Sequence, residues 1–285
     1  MKGTREARWR LILTPPASGA SNMALDHALL ASAAREGFMP TLRFYRWSPP
    51  ALSIGRFQPV REVDLTACEE EGIGVVRRPT GGKSILHMDD FTYSIVLPGS
   101  WELPRSVVAA YLVICRGIIA ALREVGVEAY VQSRNGEDYR VSGGACFAAT
   151  TRADLVWEGR KLCGSAQVRR GGAILQHGSL FLSDRAETQF RVLSFPSREE
   201  RATALHAYRR RCATLEEAGC RASWEELGCA FRRGFQEAFE VEIAEGELTQ
   251  WERGLWRRLE DAYRSREWLL NADSRPLPAP VPADA

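Results

Sequence analysis

The chain has 285 residues, of which 45% are hydrophobic, and a formal net charge of +2 at pH 7. A charge this close to neutral favours neither a nucleic-acid surface nor a basic membrane patch, and the hydrophobic content is typical of a folded domain. No apolar run reaches the roughly 18 residues of a membrane span, and residues 11–13 are too few for a signal-peptide core of about 7–15 residues. We expect a cytoplasmic protein without a membrane or nucleic-acid partner.

Hydrophobic patterning predicts helices and strands without regular alternation between them. Residues 11–13 predict a first strand, and 21–36 predict an amphipathic helix that Ser21 or Asn22 can cap and Gly37 can end. Further strands are predicted, in chain order, at 41–47, 51–54, 73–78, 91–97, 128–132, 154–158, 160–168 and 173–182. The first two of these lie on either side of a proline turn.

The other segments are predicted to be helical or irregular. A strongly apolar helix covers 105–125, and the polar, glycine-rich segment 133–145 is a loop. Two later helices each open with a capping box: Ser223 with Glu226, and Thr249 with Glu252.

This mixture of elements predicts an α+β fold, in which short turns between several strands indicate antiparallel pairing. We expect one domain over about 1–245, a helical C-terminal appendage over 246–271, and a disordered tail rich in Ala, Pro and Asp over 272–285.

Seven cysteines are scattered along the chain without a C-x-x-C pair. This spacing argues against a disulfide framework and against a zinc site. We expect most of the cysteines to be small buried residues and one to be a reactive thiol.

Lysine is rare, because the 38 basic residues include only Lys2, Lys83 and Lys161 as lysines. A composition bias toward arginine explains the scarcity, yet both internal lysines lie in glycine-rich segments. An ammonium is a compact point charge with an adjustable pKa, whereas a guanidinium is planar and stays protonated. We infer that Lys83 and Lys161 occupy sites that need a compact charge.

The segment 75–87, VVRRPTGGKSILH, ends a strand with two arginines and continues through Thr80, Gly81 and Gly82 to Lys83. Adjacent glycines allow positive φ and let backbone N–H groups approach a ligand, so the turn can cradle a carboxylate, a phosphate or a developing oxyanion. The spacing is not that of a Walker loop. The alternative is an ordinary hairpin turn with solvated arginines.

The segment 159–167, GRKLCGSAQ, reads as a strand that places Lys161 and Cys163 on one face, because side chains alternate along a strand. A lysine in an apolar strand is costly without a partner, and the small residues that follow it leave room for a ligand. The alternative is a lysine whose stem packs while its ammonium reaches water. His177, in the segment LQHGSLFL, is more typical of a satisfied core residue.

Cys146 closes the glycine-rich loop, in the segment GGACF. A cysteine at the junction of a loop and a strand can reach into a cleft, and a nearby ammonium lowers its pKa so that the thiolate is available as a nucleophile. Composition alone favours a small buried residue, because six other cysteines compete for the role.

Together, these segments resemble the family of biotin and lipoate protein ligases and lipoyl or octanoyl transferases. The matches, in chain order, are NMALDHALL, RFYRWSPPALSIGRFQ, RRPTGGKSILH, GRKLCGSAQ and LQHGSLFL. The resemblance covers most of the chain. It implies a mixed, largely antiparallel sheet flanked by helices, related to the catalytic domains of class II aminoacyl-tRNA synthetases and biotin synthetases.

Within this family the chain looks most like the cysteine-dependent octanoyltransferases of the LipM type. Lys83 follows the glycine pair where lipoate ligases carry a third small residue, and Cys146 with Phe147 stands shortly before the G-R-K segment. ATP-dependent lipoate ligases and amidotransferases that move octanoyl between lipoyl domains are the alternatives. A third, from another class, is a non-catalytic module that binds an acyl group or a protein.

The resemblance implies roles for particular residues. Cys146 is the nucleophile, and Lys161 keeps it ionised. The acyl group or ligand is held by Arg78, Thr80, Gly81, Gly82, Lys83, His87, Gly164, Ser165, Ala166 and His177. The implied reaction moves octanoyl from acyl carrier protein, through a Cys146 thioester, to a lysine of a lipoyl domain such as glycine cleavage H protein, and it needs no cofactor and no metal.

Three positions depart from the family pattern. The pair Ala153-Asp154 stands where an aromatic-acidic pair is usual, His27 replaces an acidic residue, and Cys163 replaces a small alanine. Cys163 is therefore a rival nucleophile close to Lys161. We favour Cys146, because its loop position matches the family and Cys163 can be a packing residue.

Overall fold

The computed structural model describes residues 8–133 and 153–270. Over these ranges the predicted α+β fold is confirmed. The strands are β1 Arg8–Leu13, β2 Thr41–Tyr45, β3 Ala51–Ile54, β4 Gly74–Arg77, β5 Ile85–His87, β6 Asp90–Leu97, β7 Tyr130–Ser133, β8 Ala153–Trp157, β9 Arg160–Arg170, β10 Ala173–Phe181 and β11 Glu242–Glu245. The helices are α1 Gly19–Ser32, α2 Leu65–Glu70, α3 Val107–Glu124, α4 Ala186–Arg191, α5 Arg198–Arg211, α6 Trp224–Phe239, α7 Gln250–Arg264 and α8 Arg266–Leu270, with a 3₁₀ turn at Val60–Glu62.

Eight of the described strands form one sheet in the order β11-β1-β2-β6-β10-β9-β8-β7. Strand β1 runs parallel to both of its neighbours, and the other pairs in this sheet are antiparallel. The sheet is therefore mixed and largely antiparallel, as predicted. Strands β4, β3 and β5 form a second, small sheet, and the chain between β4 and β5 holds the Gly81–Gly82 turn.

The two strands predicted around the proline turn are both present, but they belong to different sheets. Strand β2 pairs with β1 and β6, whereas β3 pairs with β4 and β5. Pro49 and Pro50 have no backbone N–H to give to a sheet ladder, so the chain between β2 and β3 does not continue the pairing. The crossing brings the small sheet against the large one, where Thr80 contacts His177 of β10.

Helices α3 and α6 pack together over one face of the large sheet. A Cβ at Gly117 would lie 2.8 Å from the ring of Phe235, and a Cβ at Gly234 would lie 2.5 Å from the carbonyl oxygen of Gly117. Glycine at both positions therefore permits the close approach of the two helices. The predicted capping box of Ser223 and Glu226 is confirmed at the start of α6.

Helices α1 and α7 cover the opposite face of the large sheet. Leu255, Leu259 and Tyr263 of α7 are buried in one cluster with Met23 and Ala28 of α1. The segment set apart in the sequence as a C-terminal appendage thus shares a core with α1, as far as it is described. The predicted capping box that opens α7 is confirmed. Across 8–133 and 153–270, every helix is either too short or too polar to serve as a membrane span.

Candidate active site

The Gly81–Gly82 turn, β9 and β10 border two adjacent spaces. The outer cleft measures about 750 Å³ including its open mouth, and its lining includes Gly81, Gly82, Tyr111, Asp154, Ser165 and Ala166. The inner pocket measures about 320 Å³ including its opening to solvent, and its lining includes Met23, Trp47, Arg78, Ile85, His87 and His177. Ser165 and Ala166 line both spaces, so the cleft and the pocket meet at β9.

Arg78 fixes the Gly81–Gly82 turn from inside the protein. Its guanidinium donates to the carbonyl oxygens of Gly81 at 2.8 Å and Lys83 at 2.7 Å, and only 3% of the residue is exposed. The alternative of a hairpin turn with solvated arginines is therefore wrong. Within the described ranges, the N–H groups of Gly81 and Gly82 donate to no other residue. Gly81 and Gly82 both line the outer cleft, so their N–H groups are candidate donors to a ligand there.

Lys83 is engaged by a carboxylate. Its ammonium donates to the two carboxylate oxygens of Glu62 at 2.7 Å and 3.0 Å. Neither residue lines the outer cleft or the inner pocket. Lys83 therefore links the glycine turn to the 3₁₀ turn, and ligand binding by its ammonium stays a prediction.

Lys161, at the start of β9, forms a buried ion pair with Asp154 of β8. The Nζ–Oδ1 distance is 2.9 Å, and the two side chains are only 8% and 4% exposed. The alternative of a lysine that reaches water is therefore wrong. Asp154 also lines the outer cleft, which places the charged pair at its wall. In the sequence Asp154 stood out only through a departure from the family pattern, and its carboxylate proves to be the partner of the candidate lysine.

Cys163 is a buried thiol. Only 1% of the residue is exposed, and it belongs to the apolar cluster under α3 and α6. Burial, with a smaller contribution from Asp154, raises the pKa of Cys163 to about 11, although the hydrogen bond with Ser165 and the charge of Lys161 oppose the shift. A thiol of this kind stays protonated at neutral pH and is a poor nucleophile. Cys146, the favoured nucleophile, lies outside the described residues.

His177 lies in a chain of buried polar groups. Its Nδ1 is 3.0 Å from Asp26 Oδ2, and its Nε2 is 2.6 Å from Thr80 Oγ1. Burial lowers the pKa of His177, although Asp26 opposes this, so the ring is neutral at pH 7. The Asp26 carboxylate can only accept, so Nδ1–H donates to it and the Thr80 hydroxyl donates to Nε2. Both ring nitrogens of His177 thus have hydrogen-bond partners, as predicted for a core residue, and the ring is also part of the wall of the inner pocket.

The Asp26 carboxylate is the charged end of this chain. Arg43 donates to Oδ1 at 2.7 Å, and the Ser94 hydroxyl donates to the same atom at 2.8 Å. Burial alone would raise the pKa of Asp26, but Arg43 and His177 outweigh it and hold the pKa below its ordinary value. The carboxylate therefore stays ionised, and it anchors the glycine turn to α1 through His177 and Thr80.

His87 has a similar set of partners at the other side of the inner pocket. Its Nδ1 is 2.7 Å from Asp90 Oδ2, and its Nε2 is 2.9 Å from Ser53 Oγ. The ring lies flat on Trp47, with centroids 3.8 Å apart. These contacts hold His87 as a rigid wall of the pocket.

The structure brings most of the predicted ligand-binding residues to these two spaces. Gly164, Ser165, Ala166, Arg78, His87 and His177 line the inner pocket, and Gly81 and Gly82 line the outer cleft. Sequence reasoning missed Asp26, Asp90 and Trp47. Among the residues described, no three His, Cys, Asp or Glu side chains converge as a metal site.

Comparison with known proteins agrees with this arrangement. The family model described as the lipoyl protein ligase A/B catalytic domain matches residues 18–236. An octanoyltransferase LipM of Carboxydothermus hydrogenoformans is 41% identical over 268 residues, covering 92% of this chain and 98% of that protein. An octanoyltransferase LipM of Kyrpidia tusciae is also 41% identical over 268 residues, covering 91% and 97%.

The fold has relatives among solved structures. A structure of an archaeal lipoylation system from Thermoplasma acidophilum, described as a bi-partite lipoate protein ligase and its E2 lipoyl domain, matches with a TM-score of 0.80 at 27% identity. The match covers 95% of this chain and 99% of that chain. With the fold, the cleft and these similarities in agreement, the chain belongs to the lipoyl protein ligase A/B catalytic-domain family.

Proposed function

We propose that the protein transfers an octanoyl group from acyl carrier protein, through a thioester on Cys146, to a lysine of a lipoyl domain. The observation that carries this proposal is the buried pair of Lys161 and Asp154 at the wall of a cleft that adjoins a mostly apolar pocket. The relatives named octanoyltransferase LipM, which cover nearly the whole chain, support the same reaction.

The inner pocket suits an unbranched acyl chain. Met23, Trp47 and Ile85 give it apolar walls, and glycine at 178 keeps β9 and β10 close, because a Cβ there would lie 2.6 Å from Ser165 Oγ. Each methylene group that leaves water stabilises the complex by about 0.8 kcal/mol. The pocket adjoins the outer cleft at Ser165 and Ala166, so the acyl carbonyl remains in the cleft while the chain is buried.

In the first half-reaction the Cys146 thiolate attacks the carbonyl carbon of the octanoyl thioester. The ammonium of Lys161 favours the thiolate through its charge. The N–H groups of Gly81 and Gly82, which have no other acceptor in the described ranges, donate to the oxyanion. The bond to the carrier's sulfur then breaks, and the carrier leaves as a thiol after gaining a proton.

In the second half-reaction the neutral ε-amine of the acceptor lysine attacks the Cys146 thioester. The C–N bond forms, the C–S bond breaks and the amine loses a proton, so that an amide and the free cysteine result. The two halves share one acyl-enzyme, and ping-pong kinetics follow. Asp154 holds the Lys161 ammonium in place throughout.

A second candidate is ATP-dependent lipoate ligation, in which Lys161 faces the phosphate of an acyl-adenylate. The similarity to a bi-partite lipoate protein ligase favours it. Transfer between lipoyl domains is a further alternative within the cysteine-dependent class. The ligase and the transferase differ in whether Cys146 is needed.

The test is intact-protein mass spectrometry after mixing with octanoyl-acyl carrier protein, with and without ATP and free lipoate. We expect an octanoyl adduct on the wild type without ATP, no adduct on Cys146→Ala, and an unchanged adduct on the matched control Cys163→Ala. Addition of a lipoyl domain should then discharge the adduct.

Three results would contradict the proposal. Transfer by Cys146→Ala at the wild-type rate would exclude the thioester. A requirement for ATP and free lipoate would favour the ligase. An adduct on Cys163 would keep the reaction class but move the nucleophile.

A further inference from the structure

Arg77, the last residue of β4, is a fully buried guanidinium that binds backbone carbonyl groups. Its Nη1 lies 2.8 Å, 3.1 Å and 2.7 Å from the carbonyl oxygens of Gly55, Arg56 and Gln58. Its Nε and Nη2 donate to the carbonyl oxygen of Leu269 at 3.0 Å and 2.7 Å. Within 8–133 and 153–270, every hydrogen bond of this guanidinium goes to a backbone carbonyl oxygen. Arg77 therefore joins the loop 55–58 to the end of α8.

The loop 55–58 in turn fixes the glycine turn. The N–H of Arg56 donates to the carbonyl oxygen of Thr80 at 2.8 Å. A Cβ at Gly55 would lie 1.8 Å from the carbonyl oxygen of Gly82, so the two backbones touch there. Any displacement of the loop is therefore passed directly to the turn that lines the outer cleft.

Helix α8 holds Arg77 by two groups. Leu269 supplies a carbonyl at the C-terminal end of the helix, where carbonyl groups without a helical partner attract a cation. The indole Nε1–H of Trp268 donates to the carbonyl oxygen of Arg77 at 2.8 Å. The guanidinium of Arg56 lies over the same indole ring, 4.4 Å from its centroid. Trp268 is only 7% exposed, so these contacts are shielded from water.

We propose that α8 is a positioning element of the acyl site. Trp268 and Leu269 hold Arg77, Arg77 holds the loop 55–58, and this loop keeps the N–H groups of Gly81 and Gly82 at the outer cleft. The inference rests on the proposed function, because it assumes that these N–H groups stabilise the oxyanion. Such donors act only when their geometry is fixed in advance, so support from a distant helix affects the rate and not substrate affinity.

The test compares two matched tryptophan variants. Trp268→Phe keeps an aromatic ring and removes the hydrogen bond to Arg77. Trp256→Phe is the control, because the indole of Trp256 on α7 donates to the carbonyl oxygen of Ser21 at 3.0 Å and does not bond to Arg77. For both variants we would measure hydrogen exchange of the Arg56 and Gln58 amides, whose N–H groups donate to Thr80 and Gly55. We would also measure the single-turnover rate of octanoylation and the KM for octanoyl-acyl carrier protein.

We expect Trp268→Phe to exchange these amides faster and to acylate about tenfold more slowly, since small misplacement of reacting groups can reduce a rate even more than that. KM should stay within about twofold, because the lost interaction acts in the transition state. Trp256→Phe should match the wild type in amide exchange, in the single-turnover rate and in KM. Equal exchange and equal rates in the two variants would overturn the proposal. Faster exchange in Trp268→Phe, with no octanoyl adduct on the wild type, would support the positioning role and reject the proposed function.

Discussion

The ammonium of Lys161 lies 2.9 Å from the carboxylate of Asp154, and both side chains are buried. Burial alone favours the neutral amine, and a carboxylate at this distance favours the ammonium. The pair is neutral overall, and Asp154, the member that lines the outer cleft, fixes the position of the Lys161 ammonium. A thiolate nucleophile requires a nearby cation, and in the proposed mechanism this ammonium supplies it.

Asp154→Asn removes the carboxylate that stabilises this buried ammonium. We expect the free energy of unfolding to fall by about 3–5 kcal/mol, the usual result when one member of a buried ion pair is removed. Octanoyl transfer should fall by at least about tenfold, which corresponds to one pKa unit of lost electrostatic support. Urea unfolding and a transfer assay to a lipoyl domain measure the two effects.

The matched control for that variant is Glu217→Gln. Glu217 pairs with Arg160, the neighbour of Lys161, but its side chain is 44% exposed. An exposed pair contributes about 0–1 kcal/mol, and the glutamine carbonyl can still accept from the N–H of Thr214, so this variant should keep near-normal stability and transfer. Equal losses in the two variants would show that the buried pair has no special role.

The reactivity of the cysteines gives a second prediction. With a pKa of about 11, Cys163 is a thiolate in about one molecule in 10⁴ at pH 7. We expect iodoacetamide to leave Cys163 unmodified in the folded protein while it alkylates the exposed Cys229, which serves as an internal control. Peptide mapping after a timed reaction measures both. If Cys163 is alkylated as fast as Cys229, Cys163 is again a candidate for the nucleophile.

Local patterns in the sequence predict much of this fold. The strands from β6 to β10 were predicted because their apolar side chains and bounding turns are local signals. The capping boxes at Ser223 and Thr249 were found because each needs only four consecutive residues. The short strands β5 and β11 and the polar helix α5 were missed. Strand β11 is a strand because it pairs with β1, which is more than 200 residues distant in the chain.

The candidate site was predictable only in part, for the same reason. Lys161 and the glycine pair stand out by residue type, but their partners do not. His177 and Asp26 are separated by 151 positions, so no local pattern joins them. Asp154 and Lys161 lie on the two strands of the predicted β8–β9 hairpin, but the register shift between Leu155 and Val156 is not visible in the sequence. Long-range contacts such as that of His177 with Asp26 appear only when the chain is folded.

His27 predicts an acid-dependent loss of stability. Burial, with a smaller contribution from Arg170, lowers its pKa from 6.5 in an unperturbed side chain to about 3 in the native protein. Between these values the unfolded chain binds a proton that the native state does not, so stability falls as the pH is lowered through this window. The slope from this group is up to about 1.4 kcal/mol per pH unit. Urea unfolding measured from pH 7 to pH 4 tests it.

The variant His27→Gln should flatten that slope, because glutamine does not titrate and can bond to both Arg170 and Tyr263, the present partners of the ring. The control is His206→Gln, a change of the same kind on the exposed surface of α5, which should leave the slope unchanged. The native state also lowers the pKa values of His177 and Asp26, so these groups reduce the free energy of unfolding as the pH falls. A residual slope is therefore expected in both variants. An unaltered slope in His27→Gln would contradict the prediction.

The contact between Gly55 and Gly82 gives the last prediction. Gly55→Ala would place a methyl group 1.8 Å from the carbonyl oxygen of Gly82, which forces the backbone of the turn to move. We expect a loss of about 1–3 kcal/mol in the free energy of unfolding, typical of overpacking, together with slower octanoylation because the turn is displaced. The control is Gly74→Ala in the same small sheet, where the nearest atom would be the carbonyl oxygen of Pro50 at 3.8 Å, an ordinary contact. Urea unfolding and mass-spectrometric acylation rates compare the two. If Gly55→Ala is as stable and as active as Gly74→Ala, the turn does not depend on this contact.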